Sequence, residues 1–188
     1  KRNESRPRAA IISTGKQRSK NCFALGSLAS KSFGACFSAA SSSSINDGAA
    51  ALVLMRESQA AALNCQPLAR IVGHTTHAQA PNWFTTAPVF AMQKLFAATG
   101  WTADAVDLYE INEAFAVVPM AAMVELSLPH EKVNVLGGAC ALGHPIGASG
   151  ARILVTLLNA LRLKGGTRGV ASLCIGGGEA TAMAVELI

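Results

Sequence analysis

The sequence has few charged residues, few aromatic residues and no long apolar run. Charged side chains make up 14% and aromatic side chains 5% of the 188 residues, whereas hydrophobic residues make up 51%. A chain this apolar is not disordered throughout, and its length suits one packed domain with a smaller remnant. The longest apolar runs, 49–55 and 114–124, fall well short of the ~20 residues that a bilayer span needs. We therefore predict no membrane-spanning segment.

No secretory signal is predicted either. The first residues are basic, but no long apolar stretch with a small-residue cleavage site follows them. We therefore expect a cytoplasmic protein without a membrane partner.

The cysteines lack the spacing of paired ligands or bridges. Their number is odd, and no C-x-x-C pair occurs among Cys22, Cys36, Cys65, Cys140 and Cys174. Neither a disulfide framework nor a zinc ribbon fits this pattern, so at least one cysteine is predicted to be a reduced, reactive thiol. His74 and His77 follow Cys65, but they do not complete a ligand set. We interpret them as loop histidines and predict no metal site.

The basic excess is confined to the first 44 residues. Residues 1–44 hold eight Lys or Arg and one acid, a net charge of +7, so the remainder carries 5 − 7 = −2. A nucleic-acid partner is therefore not predicted. The same segment is rich in serine and shows neither a helical nor a strand period. We predict that residues 1–44 are mostly irregular.

From residue 45 onward, strand and helix signals alternate. Short apolar or alternating runs predict strands at 49–55, 68–72, 106–109, 133–136, 170–175 and 181–188. Helices are predicted at 57–63, from Val89 to a stop at Gly100, at 112–126, and along a stripe from Ile153 to Leu161 that ends at Gly165. Residues 73–86 are predicted to be a loop. This alternation predicts a layered α/β fold with helices on both faces of a mixed sheet.

One predicted loop sets His144 among glycines, in the segment 137–150 just before the final helix. Glycines allow a substrate to approach closely, and a helix N-terminus favours an anion. A tight turn that holds a hydrogen-bonded histidine explains the segment equally well.

Two further corners carry polar groups. Cys174 precedes three glycines, whose bared N–H groups would let the thiol ionise below its usual pKa of ~8.5 and act as a nucleophile or base. A small buried cysteine before a hairpin turn is the simpler alternative. Asn112 and Glu113 lie at a strand-to-helix corner, where an N-cap and a first-turn acid are the ordinary roles.

Four motifs in one order resemble the thiolase family. They are Asn-Asp-Gly-Ala-Ala at 46–50, Asn-Glu-Ala-Phe-Ala at 112–116, Gly-His-Pro with Gly-Ala-Ser-Gly at 143–150, and Cys-Ile-Gly-Gly-Gly at 174–178. The resemblance runs from residue 43 to 188. The related ketoacyl synthases resemble this fold but lack a cysteine at the last glycine turn, so Cys174 favours thiolases.

The resemblance implies a domain division. Residues 45–66 would be a remnant of the N-terminal thiolase domain, and residues 67–188 the C-terminal domain. Residues 1–44 do not resemble the family's linker, and their serine and arginine bias is what translation in a shifted frame could give. We treat an aberrant linker as a hypothesis.

The resemblance also implies catalytic roles. Cys174 matches the base that removes a proton from the α-carbon of acetyl-CoA. His144 matches an oxyanion-hole donor that also activates the nucleophile, and Asn112 matches the residue that holds a water beside it. The N–H of Gly176 matches part of the hole for the tetrahedral intermediate.

Substrate contacts are implied for two more residues. Ser43 matches a loop serine that touches the pantetheine of CoA, and Phe115 matches an aromatic side chain lining the acyl pocket. The implied reaction is the condensation of two acetyl-CoA to acetoacetyl-CoA, or the thiolytic cleavage of 3-ketoacyl-CoA. The CoA thioester is then the substrate, no separate cofactor is expected, and family members form dimers or tetramers.

The family's nucleophilic cysteine precedes the matched region, and neither Cys22 nor Cys36 sits in its motif. Two alternatives follow. The chain is part of a thiolase-type enzyme and is inactive by itself, or it is a catalytically inactive fragment or pseudoenzyme that binds CoA or a partner chain.

Overall fold

A computed structural model of the protein describes residues 9–14 and 41–188. Its strands are β1 (Ala9–Thr14), β2 (Leu52–Arg56), β3 (Ala69–Ala78), β4 (Leu108–Ile111), β5 (Arg168–Ile175) and β6 (Glu179–Leu187). Its α-helices are α1 (Glu57–Ala62), α2 (Ala87–Thr99), α3 (Val117–Glu125), α4 (Ala139–Leu142) and α5 (Ser149–Lys164). Short 3-10 helices occupy Pro81–Thr86 and His130–Lys132.

The strands form one mixed sheet in the order β2-β1-β3-β6-β5-β4. Only β4 and β5 pair in parallel among the described strands, and the other pairs are antiparallel. No helix within residues 9–14 and 41–188 is long and apolar enough to cross a bilayer.

Helices cover both faces of this sheet, as predicted. On one face, α2 packs against β6 and α3 packs against α2, and Ala180, Ala182 and Ala184 of β6 are buried in the core that these helices share. On the other face, the stripe of α5 predicted from Ile153 to Leu161 packs against β4 and β5, in a core that also includes Val185 of β6. The period-2 alternation of β6 therefore divides one strand between two cores.

Both glycine helix stops are confirmed. α2 ends at Gly100 and α5 ends at Gly165, with φ of 72° and 71°. Each glycine N–H donates to a carbonyl four residues earlier, on Phe96 and Leu161 respectively. The positive φ explains why glycine follows each helix.

Two segments that were predicted to be irregular or a loop contain strands. Ala9–Thr14 is a strand that pairs with both β2 and β3, although residues 1–44 were predicted to be mostly irregular. Residues 1–8 and 15–40 lie outside the described residues. β3 continues through the predicted loop at 73–78, where each residue from His74 to Ala78 pairs with β6. β-branched threonines at 75 and 76 suit this strand.

The predicted strand at 133–136 is also wrong. Asn134 has a φ of 50°, and its side chain makes the hydrogen bonds that a neighbouring strand would make. Its Oδ1 accepts the N–H of Ile111 at 2.8 Å, and its Nδ2 donates to the carbonyl of Ile111 at 2.9 Å. An amide side chain therefore replaces backbone pairing beside β4, leaving only an isolated bridge between Val133 and Tyr109.

The strand β2 lies at the edge of the sheet. Val53 and Leu54 are each about half exposed, at 48% and 54%. Adjacent residues point to opposite sides of a strand, so apolar surface is uncovered on both sides of this edge.

One carboxylate joins the beginnings of β4 and β5. Asp107 Oδ2 accepts the N–H groups of Thr167 at 2.7 Å and Arg168 at 2.8 Å. Burial opposes ionisation, but these donors, with the charges of Lys132 and Arg168, lower the pKa of Asp107.

We predict that Asp107→Asn lowers the free energy of unfolding at pH 7, because the two backbone N–H groups lose a charged acceptor. The loss should be only about 0.5–1 kcal/mol, because solvent screens this exposed group. A lowered native pKa stabilises the fold above the unfolded-state pKa, and this stabilisation disappears as the pH falls through the native pKa. The difference between variant and wild type should therefore shrink in acid. Urea unfolding at pH 7 and pH 3 measures it. Asp104→Asn, another exposed aspartate of the same loop, is the control, and an equal loss at both pH values would contradict the prediction.

Candidate active site

The three polar corners predicted from the sequence meet around Asn112. The loop 112–116 is not helical, since α3 begins only at Val117. The backbone N–H of Asn112 donates to the carbonyl of Ser172 at 2.9 Å, which fixes this loop beside the end of β5. Asn112 is fully buried. The alternative of a helix N-cap for Asn112 is therefore wrong.

His144 is half-buried between two polar side chains. Its Nδ1 lies 2.6 Å from Ser149 Oγ, and its Nε2 lies 3.4 Å from Asn112 Nδ2. Burial first, and the charge of Arg152 second, lower the pKa of His144. The imidazole is therefore neutral at pH 7, which leaves one ring nitrogen able to accept a proton.

A buried ion pair stands behind Asn112. Arg152 Nη1 donates to Glu110 Oε1 at 2.9 Å, and Arg152 Nη2 donates to Asn112 Oδ1 at 3.2 Å. Arg152 and Glu110 are each 1% exposed. Burial raises the pKa of Glu110, and the Arg152 guanidinium offsets part of this rise.

Cys174 lies at the end of β5 on the face covered by α2 and α3, where it is 8% exposed. The prediction of an easily ionised thiol is wrong. Burial raises the pKa of Cys174 to about 11, although a backbone hydrogen bond offsets part of the effect. Within the described part of the chain, Cys174 and His144 share no hydrogen bond, and Asn112 connects their two loops.

Gly176 is at the exposed turn between β5 and β6. A Cβ built there meets nothing within 4 Å among the described residues, so the space beside its backbone is open. A ligand could therefore approach the backbone of this turn.

Ser43 and Phe115 belong to one contact region. The backbone N–H of Ser43 donates to the carbonyl of Ala114 at 3.2 Å, and its hydroxyl donates to the same carbonyl at 3.1 Å. The ring of Phe115 packs edge-on to Phe84 with centroids 6.0 Å apart. The next residue, Ser44, accepts the N–H of His144 at 2.8 Å. The Ser43 loop thus contacts both the 112–116 loop and the histidine loop.

Close packing holds the histidine loop in this conformation. Gly143 has a φ of 90°, and a Cβ there would overlap the side-chain amide of Asn46. A Cβ on Gly138 would overlap the carboxylate of Glu113. That carboxylate accepts Asn134 Nδ2 at 2.8 Å and the N–H of Cys140, in the first turn of α4, at 3.0 Å, so Glu113 ties the 112–116 loop to Asn134 and α4 rather than serving the dipole of α3.

Sequence reasoning missed Glu110, Ser149 and Arg152. The available signal was polarity inside apolar elements, because Glu110 interrupts β4 and Arg152 adjoins the apolar stripe of α5. Charged residues are rarely buried unless they are paired. Their partners lie about 40 positions away, which the sequence does not reveal.

A cavity of about 550 Å³ lies near Glu113 and Cys140. Its wall includes Met120, Met123 and His130, but not His144, Cys174 or Asn112. It therefore borders the candidate site without containing it.

Cys65, Cys140 and Cys174 are free thiols, while Cys22 and Cys36 lie outside the described residues. Among residues 9–14 and 41–188, no cluster of three or more His, Cys, Asp or Glu side chains could hold a metal ion.

Comparison with known proteins identifies the family. The family described as "Thiolase, C-terminal domain" matches residues 65–187. The chain belongs to the thiolase family through this domain, and its layered α/β fold is the thiolase fold.

Individual relatives agree with this assignment. Cytosolic acetyl-CoA acetyltransferase of Mus musculus is 54% identical over 147 residues, which cover 78% of this chain and 37% of the relative. The crystal structure of the Bacillus anthracis acetyl-CoA acetyltransferase superimposes with a TM-score of 0.78 at 45% identity, covering 80% of this chain and 38% of that one. A thiolase of Ascaris suum in complex with coenzyme A gives 0.76 at 44% identity, covering 80% and 39%. The chain thus spans well under half the length of these relatives.

We predict that Cys174 remains protonated well above the pH at which an ordinary thiol ionises, because its pKa is raised. Alkylation by iodoacetamide, followed by mass spectrometry of the peptide containing Cys174, should accelerate about tenfold per pH unit between pH 8 and 9.5 in the folded chain. The same peptide in the chain unfolded by guanidinium should level off near the ordinary pKa of ~8.5. A plateau by pH 8.5 in the folded chain would contradict the raised pKa.

Proposed function

We propose that the protein acts in thiolase-type acyl transfer between CoA thioesters. The reaction is the condensation of two acetyl-CoA to acetoacetyl-CoA, or the thiolytic cleavage of a 3-ketoacyl-CoA, within fatty acid metabolism. The observation that carries this proposal is His144 held between Asn112 and Ser149, with the backbone of Asn112 bonded to Ser172 on β5, two residues before Cys174. The acetyl-CoA acetyltransferase relatives support the choice of reaction.

In this proposal Cys174 removes the α-proton of acetyl-CoA. The thiolate takes the proton, and the electron pair of the C–H bond becomes the enolate. With a pKa of about 11, the thiolate is scarce at neutral pH but is a stronger base than an ordinary thiolate. Removal of the α-proton requires a strong base, because a thioester is a weak carbon acid.

The developing enolate oxygen needs donors fixed in advance. We assign this role to His144, which needs a proton on Nε2 at that stage, together with a water held by Asn112. The N–H of Gly176 is proposed to stabilise the tetrahedral intermediate. Burial of Asn112 and its contact with Arg152 support this assignment, since a donor must not reorganise during the reaction.

Binding of CoA is proposed near Ser43 and Phe115, where the loops of the site converge. The coenzyme A complex of the Ascaris suum neighbour supports a CoA ligand. CoA thioesters are substrates here, and we propose no separate cofactor. Residues 45–188 carry a net charge of −2, which gives no support to a nucleic-acid partner.

The nucleophile that carries the acyl group is proposed to lie outside this chain. Neither Cys22 nor Cys36 sits in the family motif. Since nucleophile, histidine and base act as a unit, the isolated chain is expected to be inactive. The alternative is a catalytically inactive fragment that binds CoA or a partner chain.

Two further properties are proposed from the relatives. A cytoplasmic location is supported by the cytosolic acetyl-CoA acetyltransferase of mouse. Self-association as a dimer or tetramer is proposed from the family resemblance, and the uncovered apolar residues of β2 supply surface that such contacts could bury.

We predict no acetoacetyl-CoA cleavage in the presence of CoA by the 188-residue chain alone. A version extended upstream by the nucleophile-bearing part of a thiolase should cleave it, and Cys174→Ala in that version should reduce kcat by at least about 10³-fold through loss of the base. Cys65→Ala is the matched control, because this cysteine follows α1 and lies outside the loops of the candidate site.

Activity of the isolated chain would overturn the proposed location of the nucleophile. No activity in a folded extended version would favour the inactive alternative, and CoA binding measured by calorimetry would then test that function directly.

A further inference from the structure

A buried series of hydrogen bonds runs from the sheet to both nitrogens of His144. It begins at Glu110 on β4, passes through Arg152 on α5 to Asn112, and reaches the imidazole, whose other side contacts Ser149. The series therefore joins a strand, a helix and the loop of the candidate site.

The direction of these bonds is determined by Arg152. A guanidinium has donors and no acceptor, so the atom of Asn112 that faces it at 3.2 Å must be the oxygen. The amide nitrogen then faces His144 Nε2 at 3.4 Å. An amide nitrogen only donates, so Nε2 must be the acceptor and carry no proton.

The opposite side of the ring accommodates this tautomer. Ser149 Oγ lies 3.1 Å from the carbonyl of Pro145, to which its single hydroxyl proton is donated. The same oxygen lies 2.6 Å from His144 Nδ1 and accepts from Nδ1–H in this orientation, whereas a rotated hydroxyl would donate to Nδ1. Ser149 therefore fits either tautomer, and the contact with Asn112 selects the Nδ1–H form.

We propose that Arg152 and Glu110 are positioning residues that hold His144 in the Nδ1–H tautomer by fixing the amide of Asn112. If this amide rotated by half a turn, its NH₂ group would face the guanidinium, donor against donor. Glu110 prevents Arg152 from moving away, because both charged side chains are buried and bonded to each other. The pair acts on the histidine through Asn112 and touches no substrate.

This inference deepens the proposed function and rests on it for its chemical meaning. An unprotonated Nε2 can take the proton of a thiol nucleophile, so that the S–H bond breaks and a thiolate and an imidazolium form. The imidazolium then carries an Nε2–H that can donate to an oxyanion. The tautomer thus prepares His144 first for proton removal and then for hydrogen-bond donation.

The test is the protonation state of His144 in the 188-residue chain labelled with ¹⁵N. Two-bond ¹H–¹⁵N spectra at pH 7.5 should show a protonated Nδ1 and an unprotonated Nε2, with the resonances assigned by their loss in His144→Gln. A protonated Nε2, or averaging between the two tautomers, would overturn the inference by itself. This readout needs no turnover, so a correct tautomer with no activity in the extended version would count against the proposed function only.

Variants test the role of the pair. In Asn112→Asp the carboxylate still accepts from Arg152 but now offers an acceptor to Nε2, so the pKa of His144 should rise by about one unit or more. Arg152→Met should leave the amide free to rotate and populate both tautomers, while Arg152→Lys, which also only donates, should restore the Nδ1–H form at least in part.

Asn159→Asp is the matched control, since it makes the same change at an exposed position of α5 and should leave the His144 spectrum unchanged. A folded Asn112→Asp or Arg152→Met protein with the wild-type His144 spectrum would overturn the positioning role. If these variants fail to fold, the wild-type spectrum still tests the tautomer of His144. The Arg152→Lys spectrum then tests whether a side chain that only donates is enough to hold it.

Discussion

The buried ion pair between Glu110 and Arg152 connects the two layers on which the candidate site depends. Removing two charges from water is costly, and loss of one partner from such a pair typically costs about 3–5 kcal/mol. A purely apolar contact between β4 and α5 would hold the layers together without this cost. The ion pair joins β4 to α5 and also orients the amide of Asn112, because the guanidinium presents donors at fixed angles and one of them reaches Asn112.

The rest of the site is arranged by side chains that replace backbone partners. Asn134 bonds to both backbone groups of Ile111, and Glu113 accepts from Asn134 and from the backbone of Cys140. These bonds allow the chain beyond β4 to leave regular secondary structure without leaving buried polar groups unpaired. Irregular loops can then converge at the end of β5 while the strands beneath them remain regular.

Local patterns explain what the sequence could predict. The hairpin of β5 and β6, the stripe of α5 and the glycine stops all depend on residues a few positions apart, and each is confirmed. The strand at 9–14 depends on pairing with β2 and β3, at distances of about 40 to 60 residues along the chain, which its own composition does not reveal. His144, Cys174 and Asn112 were found through motifs, whereas the raised pKa of Cys174 follows from its burial in the core that includes α2 and α3, a consequence of tertiary packing.

The first turn of α5 carries both Ser149 and Arg152, three residues apart. At 3.6 residues per turn this interval puts the two side chains about 60° apart around the helix axis and ~4.5 Å apart along it. One residue inserted between them would rotate Arg152 by a further ~100° and direct its charge away from Asn112. The helix thus fixes the spacing of these two side chains. A change of its length here would disturb the candidate site far more than a change of residue type along the exposed side near Leu163.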